Sequence, residues 1–324
     1  MQDTEAVMPV NKKTNVTGIK TGNSGFSING SKGSKALIET IMEIIFFVCA
    51  IFAVIAVAAI TIYMIISGAP ALMKVGIVDM LFNTVWQPTA AEPSFGIAYI
   101  VLTSIIGTAF AIVLGVPVGL LTAVFISEVA HKKVAAVLAG IPSIVYGLLG
   151  LLIINPLMYK LELAIFKDNP NHQFTGGANL ISAVIVLAIM ILPTVINVSY
   201  TSLQAVPVKM RQASLALGAT EVQTIFKVTI PAAKSGIITA IVLGVGRAIG
   251  EAMAIVLVSG NAVNMPLPFN SVRFLTTGIV SEMSYSSGLH RQALFTIGLV
   301  LFVFIMIINI TISKIIKAGE ESGK

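Results

Sequence analysis

Two charged residues, Arg247 and Glu251, lie within an apolar stretch long enough to cross a bilayer. An unpaired charge in the bilayer interior costs about 2.5–3.5 kcal/mol on the insertion scale, so both side chains are predicted to face protein or water. Residues four positions apart share a helix face, which predicts that the two point the same way. An arginine binds two oxygens of an oxyanion at once, so Arg247 could offer a cationic site to a passing anion that Glu251 tunes or gates. Alternatively, the two charges neutralise each other and stabilise helix packing.

The chain around these charges has the composition of a membrane protein. Of 324 residues, 56% are hydrophobic and 10% are charged, and the mean hydropathy is +0.96. Soluble proteins are charged at about a quarter of their positions, so this chain has too much apolar surface for one water-soluble core. The net charge of +6 does not require nucleic acid, because cytoplasmic loops of membrane proteins carry excess Lys and Arg. The single cysteine, Cys49, excludes an intrachain disulfide.

Six apolar runs predict an all-α integral membrane protein with six transmembrane helices, because each is near the roughly 20 residues that a spanning helix needs. The runs cover about 41–67, 96–127, 134–157, 179–200, 236–260 and 292–316. The predicted order is a disordered cytoplasmic tail (1–36), a first transmembrane helix (37–70), a core of five helices (96–316) containing a cytoplasmic loop (201–235), and a second tail (317–324). The first tail is rich in Gly, Ser, Asn and Lys, and it buries too little apolar surface to offset its ordering entropy.

The distribution of basic residues predicts the orientation. Fourteen of the 20 Lys and Arg residues fall in the two tails, in the loops at 128–133 and 201–235 and at the C-terminal end of the last apolar run (Lys314), whereas five fall in the opposite loops. Loops that carry the excess of Lys and Arg stay in the cytoplasm. Both termini and the 201–235 loop are therefore predicted to be cytoplasmic.

The segment 207–231, which we call the elbow, is polar and contains several residues that are typical of helix starts and ends. Pro207 suits the first position of a helix, and Gly218 suits the left-handed residue that ends one. A capping box at Thr220 predicts a second helix, and Pro231 predicts its end. The elbow could be an amphipathic helix on the lipid headgroups or a docking segment for another protein.

The elbow resembles the cytoplasmic coupling loop of ABC-importer permeases. That loop reads Glu-Ala-Ala, three residues, Gly, nine residues, then Ile-x-Leu-Pro. This chain has Gln-Ala-Ser at 212–214, then Gly218 and Pro231 at the same spacing, with Gln in place of the Glu and Ser in place of the second Ala. The resemblance implies that the elbow lies in a groove of an ATPase subunit. The residues it assigns to this coupling are Gln212, Ala213, Ser214, Gly218, Ala219 and Pro231.

A second motif resembles the phosphate-importer permeases of the PstC type. Residues 246–254 read GRAIGEAMA, close to the GRALGETMA of that family, and 140–147 read GIPSIVYG, close to its GIPSVVYG. The resemblance covers about residues 37–315. It implies a type I ABC-importer permease architecture, and inward passage of inorganic phosphate by alternating access along a path that includes Arg247 and Glu251.

The same resemblance implies the assembly. It consists of two similar permease chains, two ATPase chains and an extracytoplasmic phosphate-binding protein, in the inner or plasma membrane of a prokaryote. This chain has no Walker A motif, so we expect no enzymatic activity, catalytic residue or cofactor of its own, with ATP used by the partner. Its three histidines and one cysteine have no metal-site spacing, and we expect no metal.

Other functions remain open at this stage. A permease of the same family could carry another oxyanion, such as molybdate or sulfate. An ATP-independent secondary transporter or channel would have no need of a Gly-centred docking loop. A membrane-embedded sensor or scaffold would predict that uptake survives loss of the chain.

Overall fold

A computed structural model describes residues 34–128, 141–170 and 172–321. The predicted disordered tail lies outside these residues except for its last three positions. The chain divides into a unit that ends at Ala58 and a unit from Ala59 to Lys324. Of the first unit, the structure describes the N-terminal part of α1. The second unit contains the other elements.

Most of the described residues are helical. The long helices are α1 (Ser34–Val75), α3 (Ala98–Glu128), α6 (Leu180–Gln204), α10 (Lys234–Gly250) and α13 (Gly288–Glu321). The short helices are α2 (Ile77–Phe82), α4 (Ser143–Leu149), α5 (Asn155–Phe166), α7 (Val208–Ala216), α8 (Glu221–Thr224), α9 (Ile230–Ala232), α11 (Met253–Val258) and α12 (Leu275–Glu282). Strands β1 (Trp86–Gln87) and β2 (Ser94–Phe95) form an antiparallel hairpin.

Five helical segments in the described part of the chain are long and apolar enough to cross a membrane, and a bent pair makes a sixth candidate. The five are Leu37–Val75, Ala98–Glu128, Ser143–Phe166, Leu180–Gln204 and Gly288–Thr311. The bent pair is Glu221–Ala232 with Lys234–Gly250, at 70° to each other. The prediction of an all-α membrane protein with six transmembrane helices is confirmed, with the bent pair as the sixth span.

Helix α6 forms the centre of the packing, against α3 on one side and α10 on another. Its membrane-spanning window is 61% buried, whereas that of α1 is 0% buried. Glycines on α3 allow it to pack closely against α6. A Cβ at Gly115 would lie 2.7 Å from Ile191 Cδ1, and one at Gly119 would lie 2.8 Å from Val195 Cγ1. Small residues at such contacts let membrane helices pack closely without a hydrophobic driving force.

The third span lies further along the chain than its hydropathy predicts. The predicted run of 134–157 begins in residues outside the described part, and the helix continues to Phe166 through a π-helical turn at Gly150–Ile154. The prediction ended it at residue 157, before Lys160 and Glu162. Glu162 is nevertheless fully buried, because other residues supply its hydrogen bonds, and a paired charge is compatible with burial.

Two more boundaries differ from the predictions. The fifth run, 236–260, is not one helix, because α10 ends at Gly250 and α11 begins at Met253. Helix α13 continues to Glu321, through most of the predicted tail at 317–324. Residues 322–324 lie outside the described part of the chain.

Candidate functional site

Arg247 lies on an exposed side of α10. Its Nη1 donates a hydrogen bond of 3.1 Å to Thr194 Oγ1 on α6. A guanidinium carries five N–H donors, so this bond holds the side chain while leaving most of its donors open. Because α6 is the most buried of the candidate spans, Thr194 gives Arg247 a firm anchor.

Helix α6 presents further polar groups on the face that anchors Arg247. Asn197 is three residues beyond Thr194, and Thr201 is four residues beyond Asn197. Positions three and four apart lie one above the other on a helix, so the three residues line one face. The sequence analysis did not identify Thr194. The available signal was the 3–4 spacing of polar residues in an otherwise apolar helix.

Glu251 does not lie on the same helix as Arg247, so the prediction that they share a helix face is wrong. Glu251 has an extended backbone, with φ −73° and ψ 131°, and it follows the last residue of α10. Its Oε1 accepts a hydrogen bond of 2.9 Å from the backbone N–H of Ala254 in α11. Its own carbonyl accepts one of 2.6 Å from Thr276 Oγ1 in α12. The carboxylate therefore satisfies a donor at the start of α11, where such donors lack a helical partner.

The charge-neutralising alternative is also contradicted for this conformation. None of the four ion pairs found among the described residues joins Arg247 to Glu251. Beside Arg247, a Cβ added at Gly246 or Gly250 would meet no atom within 4 Å. None of the described residues covers this face of α10, which carries Arg247 and the two glycines.

The turn at the centre of the elbow folds as its sequence predicts, whereas Pro207 is the N-cap of α7 rather than its first residue. Helix α7 ends in a Schellman motif, in which Ala219 N–H donates to the Ser214 carbonyl at 3.3 Å and Gly218 N–H donates to the Leu215 carbonyl at 2.9 Å. Gly218 has φ +86°, the left-handed conformation that glycine adopts without cost. Thr220 forms the predicted capping box with Gln223.

The residues assigned to coupling have different environments. Gln212, Ala213 and Gly218 are exposed, whereas Ala219 is half-buried. Ser214 is also half-buried, and its Oγ lies 2.9 Å from Thr224 Oγ1, which ties α7 to α8.

Pro231 is exposed and lies inside α9 rather than at a helix end. The helix that begins with α8 continues one residue past Pro231 to Ala232 before the 70° bend into α10. A π-helical turn at Ile225–Thr229 comes just before α9. π-helical turns often occur as single bulges within helices.

Comparison with known proteins places the chain in a family. Residues 112–318 match the family model described as binding-protein-dependent transport system inner membrane component. The chain belongs to this family. It is a multi-pass membrane permease, and the resemblance to ABC-importer permeases inferred from its motifs is confirmed.

Named relatives of this permease cover most of its length. It is 34% identical over 300 residues to the probable ABC transporter permease protein YqgH of Bacillus subtilis (strain 168), covering 88% of this chain and 94% of that protein. It is 31% identical over 264 residues to the phosphate transport system permease protein PstC of Pasteurella multocida (strain Pm70), covering 76% of this chain and 82% of that protein. A chain of the inward-facing MetNI methionine ABC transporter matches with a TM-score of 0.46 and 19% identity, over 69% of this permease and 94% of that chain.

Sequence analysis missed a buried ionic cluster around Glu282 of the permease. Glu282 Oε2 accepts hydrogen bonds from Trp86 Nε1 at 3.0 Å and pairs with His290 Nε2 at 2.7 Å, and Oε1 pairs with Arg273. These residues line a cavity of about 490 Å³ with Tyr285. Partial desolvation, with the nearby Glu282 carboxylate, raises the pKa of the Tyr285 phenol. The sequence gives no local signal for the cluster, because its members lie up to 196 residues apart.

A second buried carboxylate, Glu162, organises the loop after α5. Its side chain accepts hydrogen bonds of 3.0 Å from Thr175 N–H and 2.9 Å from His172 Nε2. The His172 ring stacks on Phe166 at 3.9 Å between centroids. Both histidines in the described part of the chain thus pair with buried carboxylates. That part contains no group of three or more side chains that could hold a metal ion.

Proposed function

We propose that this permease is the membrane subunit of an ATP-driven importer that carries inorganic phosphate into the cell by alternating access. The substrate is supported by relatives such as the Pasteurella multocida protein, which is named a phosphate transport permease. The observation that carries the proposal is the position of Arg247, a guanidinium with one hydrogen bond on an open face of a membrane helix. Arginine suits phosphate because its planar fork binds two oxygens together.

The proposed orientation places the elbow and both termini in the cytoplasm of a prokaryotic cell, with the chain in its inner or plasma membrane. The excess of Lys and Arg in the segments on this side supports it. The ends of α3 and α6 meet on the same side, where Gln204 Nε2 donates a hydrogen bond of 3.2 Å to the Ser127 carbonyl. The Glu162 and Glu282 clusters then lie toward the outside.

The elbow is the proposed docking segment for the ATPase subunits, which hydrolyse ATP in place of this chain. Four of its apolar side chains project into solvent: Leu217 is 89% exposed, Val208 65%, Val222 64% and Phe226 55%. Adjacent exposed apolar residues often mark a protein interaction site. Two ATPase chains complete the complex, together with an extracytoplasmic phosphate-binding protein.

A second, similar permease chain is the proposed neighbour of the open face of α10. Lipid would be a costly neighbour for Arg247, because an unpaired charge in the bilayer interior is unfavourable. The glycines at 246 and 250 would let another helix approach closely. In this arrangement, Arg247 lines an aqueous path between the two permease chains.

Alternating access follows from the way the elbow joins α10. The 70° bend at Ala233 connects the elbow directly to α10, whose 17 residues extend about 25 Å. A shift of the elbow on ATP-driven closure would tilt α10 and change the side of the membrane to which Arg247 is open. ATP binding shifts this equilibrium only by the difference in its interaction energy with the two states.

The proposed function is tested by uptake of labelled phosphate into proteoliposomes that contain the complete complex. We expect uptake that requires ATP and the binding protein, and that arsenate inhibits more strongly than sulfate or molybdate. Stronger inhibition by sulfate or molybdate would assign the permease to another oxyanion. Uptake that persists without ATP would instead indicate a secondary transporter or channel.

Substitutions of Glu251 separate its charge from its capping contact. Glu251→Gln keeps a side-chain oxygen for Ala254 N–H, whereas Glu251→Ala removes it. If the negative charge gates the path, we expect Glu251→Gln to lower uptake by about tenfold in an assembled complex. The opposite result would be normal uptake in the Gln variant and loss of both uptake and assembled complex in the Ala variant. That result would assign Glu251 to packing alone.

A further inference from the structure

Helix α7 of the elbow has no buried residue among the part of the chain that the structure describes. A cavity of about 320 Å³ lies between α7, α8 and Glu128 of α3. Within that part, polar contacts rather than buried side chains hold α7 in place, and those of Arg211 reach furthest.

Arg211 joins α7 to the ends of two membrane helices. Its Nη1 lies 2.7 Å from Glu128 Oε1 at the end of α3, and its Nη2 donates a hydrogen bond of 2.9 Å to the Leu203 carbonyl near the end of α6. Gln204 Nε2 donates to Ser127 Oγ at 3.1 Å, so the two helix ends are also joined directly. One guanidinium thus contacts both members of a linked pair of helices.

The electrostatics at this point favour a cation. Helix α6 ends here, and a helix C-terminus carries a partial negative charge of about half an elementary unit. The carboxylate of Glu128 adds a full negative charge beside it. The side chains of Arg211 and Glu128 are only 21% and 19% exposed, so solvent screens their interaction less than it would on an open surface.

We propose that Arg211 is a positioning residue that transmits displacement of α7 to the cytoplasmic ends of α3 and α6. This inference rests on the proposed function of the elbow as the ATPase docking segment. It adds a side-chain route to the two covalent links of the elbow, which run through the 70° bend to α10 and through residues 205–207 to α6. Thr194 on α6 holds Arg247, so the route through Arg211 moves the anchor of Arg247 while the bend moves α10 itself.

The two routes predict different defects. If the route through Arg211 is lost, the elbow still binds the ATPase and still pulls on α10. Helix α3 then no longer follows, and α6 follows only through the backbone at 205–207, so ATP hydrolysis continues while fewer substrate ions cross per ATP. A residue that only stabilises the fold would lower assembly, hydrolysis and uptake together.

The test measures ATP hydrolysis and labelled phosphate uptake on the same proteoliposomes, with the complete complex. We expect Arg211→Met to bind the ATPase normally while the phosphate carried per ATP falls about tenfold, the usual consequence of losing charge-assisted hydrogen bonds. Arg211→Lys should give an intermediate ratio, because a single ammonium lacks the fork that reaches Glu128 and Leu203 together. Lys314→Met removes a positive charge from an exposed position of α13, outside the elbow, and should leave the ratio within about twofold of the unsubstituted complex.

A second variant keeps the test decisive if Arg211→Met fails to fold. Glu128→Gln retains an acceptor for Arg211 and removes only the charge, so we expect a decrease of about threefold in phosphate per ATP. An unchanged ratio in an active complex, or loss of ATPase binding by Arg211→Met, would overturn the inference and leave the proposed function intact. An unsubstituted complex that carries no phosphate would overturn both.

Discussion

Arg247→Gln is expected to lower phosphate uptake by about tenfold to a hundredfold in a complex that assembles normally. The estimate corresponds to the roughly 1.5–3 kcal/mol of a hydrogen bond to a charged group. Glutamine can still reach Thr194, but it offers neither the charge nor the paired donors that an oxyanion needs. The measurement is initial uptake in proteoliposomes, with the amount of assembled complex determined on the same sample.

Controls distinguish a path residue from a general charge effect. Arg291→Gln removes an exposed arginine at the start of α13 and should leave uptake unchanged. Thr194→Val removes only the anchor of Arg247 and should have a smaller effect than loss of the guanidinium. Normal uptake by Arg247→Gln would show that Arg247 is not on the path.

Gly218→Asp is expected to abolish transport by preventing ATPase binding while membrane insertion remains normal. The residue has φ +86°, and an added Cβ would meet no atom of this chain within 4 Å. The chain itself therefore has space for a side chain, at a backbone cost of about 1–2 kcal/mol. The larger effect is expected at the docked surface, where a charged side chain would project from the turn toward the ATPase. Pull-down of the ATPase with the solubilised permease measures it.

Two matched variants test this explanation. Gly218→Asn has almost the same size without the charge and tolerates the left-handed conformation, so a docking defect in both variants would assign the effect to bulk. Gly176→Asp introduces the same side chain at another exposed glycine, with φ +67° and equally open space, in the loop after α5. We expect Gly176→Asp to bind the ATPase normally. Normal binding by Gly218→Asp would remove Gly218 from the proposed interface.

The break between α10 and α11 gives Arg247 and Glu251 separate roles. Arg247 lies in the last turn of α10 and contacts α6, whereas Glu251 caps α11 and is held through its carbonyl by α12. A tilt of α10 would therefore be absorbed at 251–252, where the backbone already leaves the helix. This is why a variant at Arg247 and a variant at Glu251 are expected to fail in different ways.

The sequence alone determined the features that depend on neighbouring residues. The apolar runs were enough to identify a membrane protein. Each can form a spanning helix on its own, because a helix satisfies its backbone hydrogen bonds within one continuous segment. Gly218 and Thr220 predicted the turn of the elbow, since helix caps are local contacts over a few residues. The motifs at 212–231 and 246–254 were sufficient to predict the permease family.

Only the tertiary structure decided which charges meet. The i, i+4 spacing of Arg247 and Glu251 predicted one helix face, but the Thr276 hydroxyl, 25 residues from Glu251, holds the carbonyl where the helix has ended. Arg211 pairs with Glu128 across 83 residues, and Trp86 reaches Glu282 across 196. Spacing along the chain cannot reveal such pairs, because they depend on how separate helices pack. In the folded permease, Arg247 is hydrogen-bonded to α6, whereas Glu251 caps the separate helix α11.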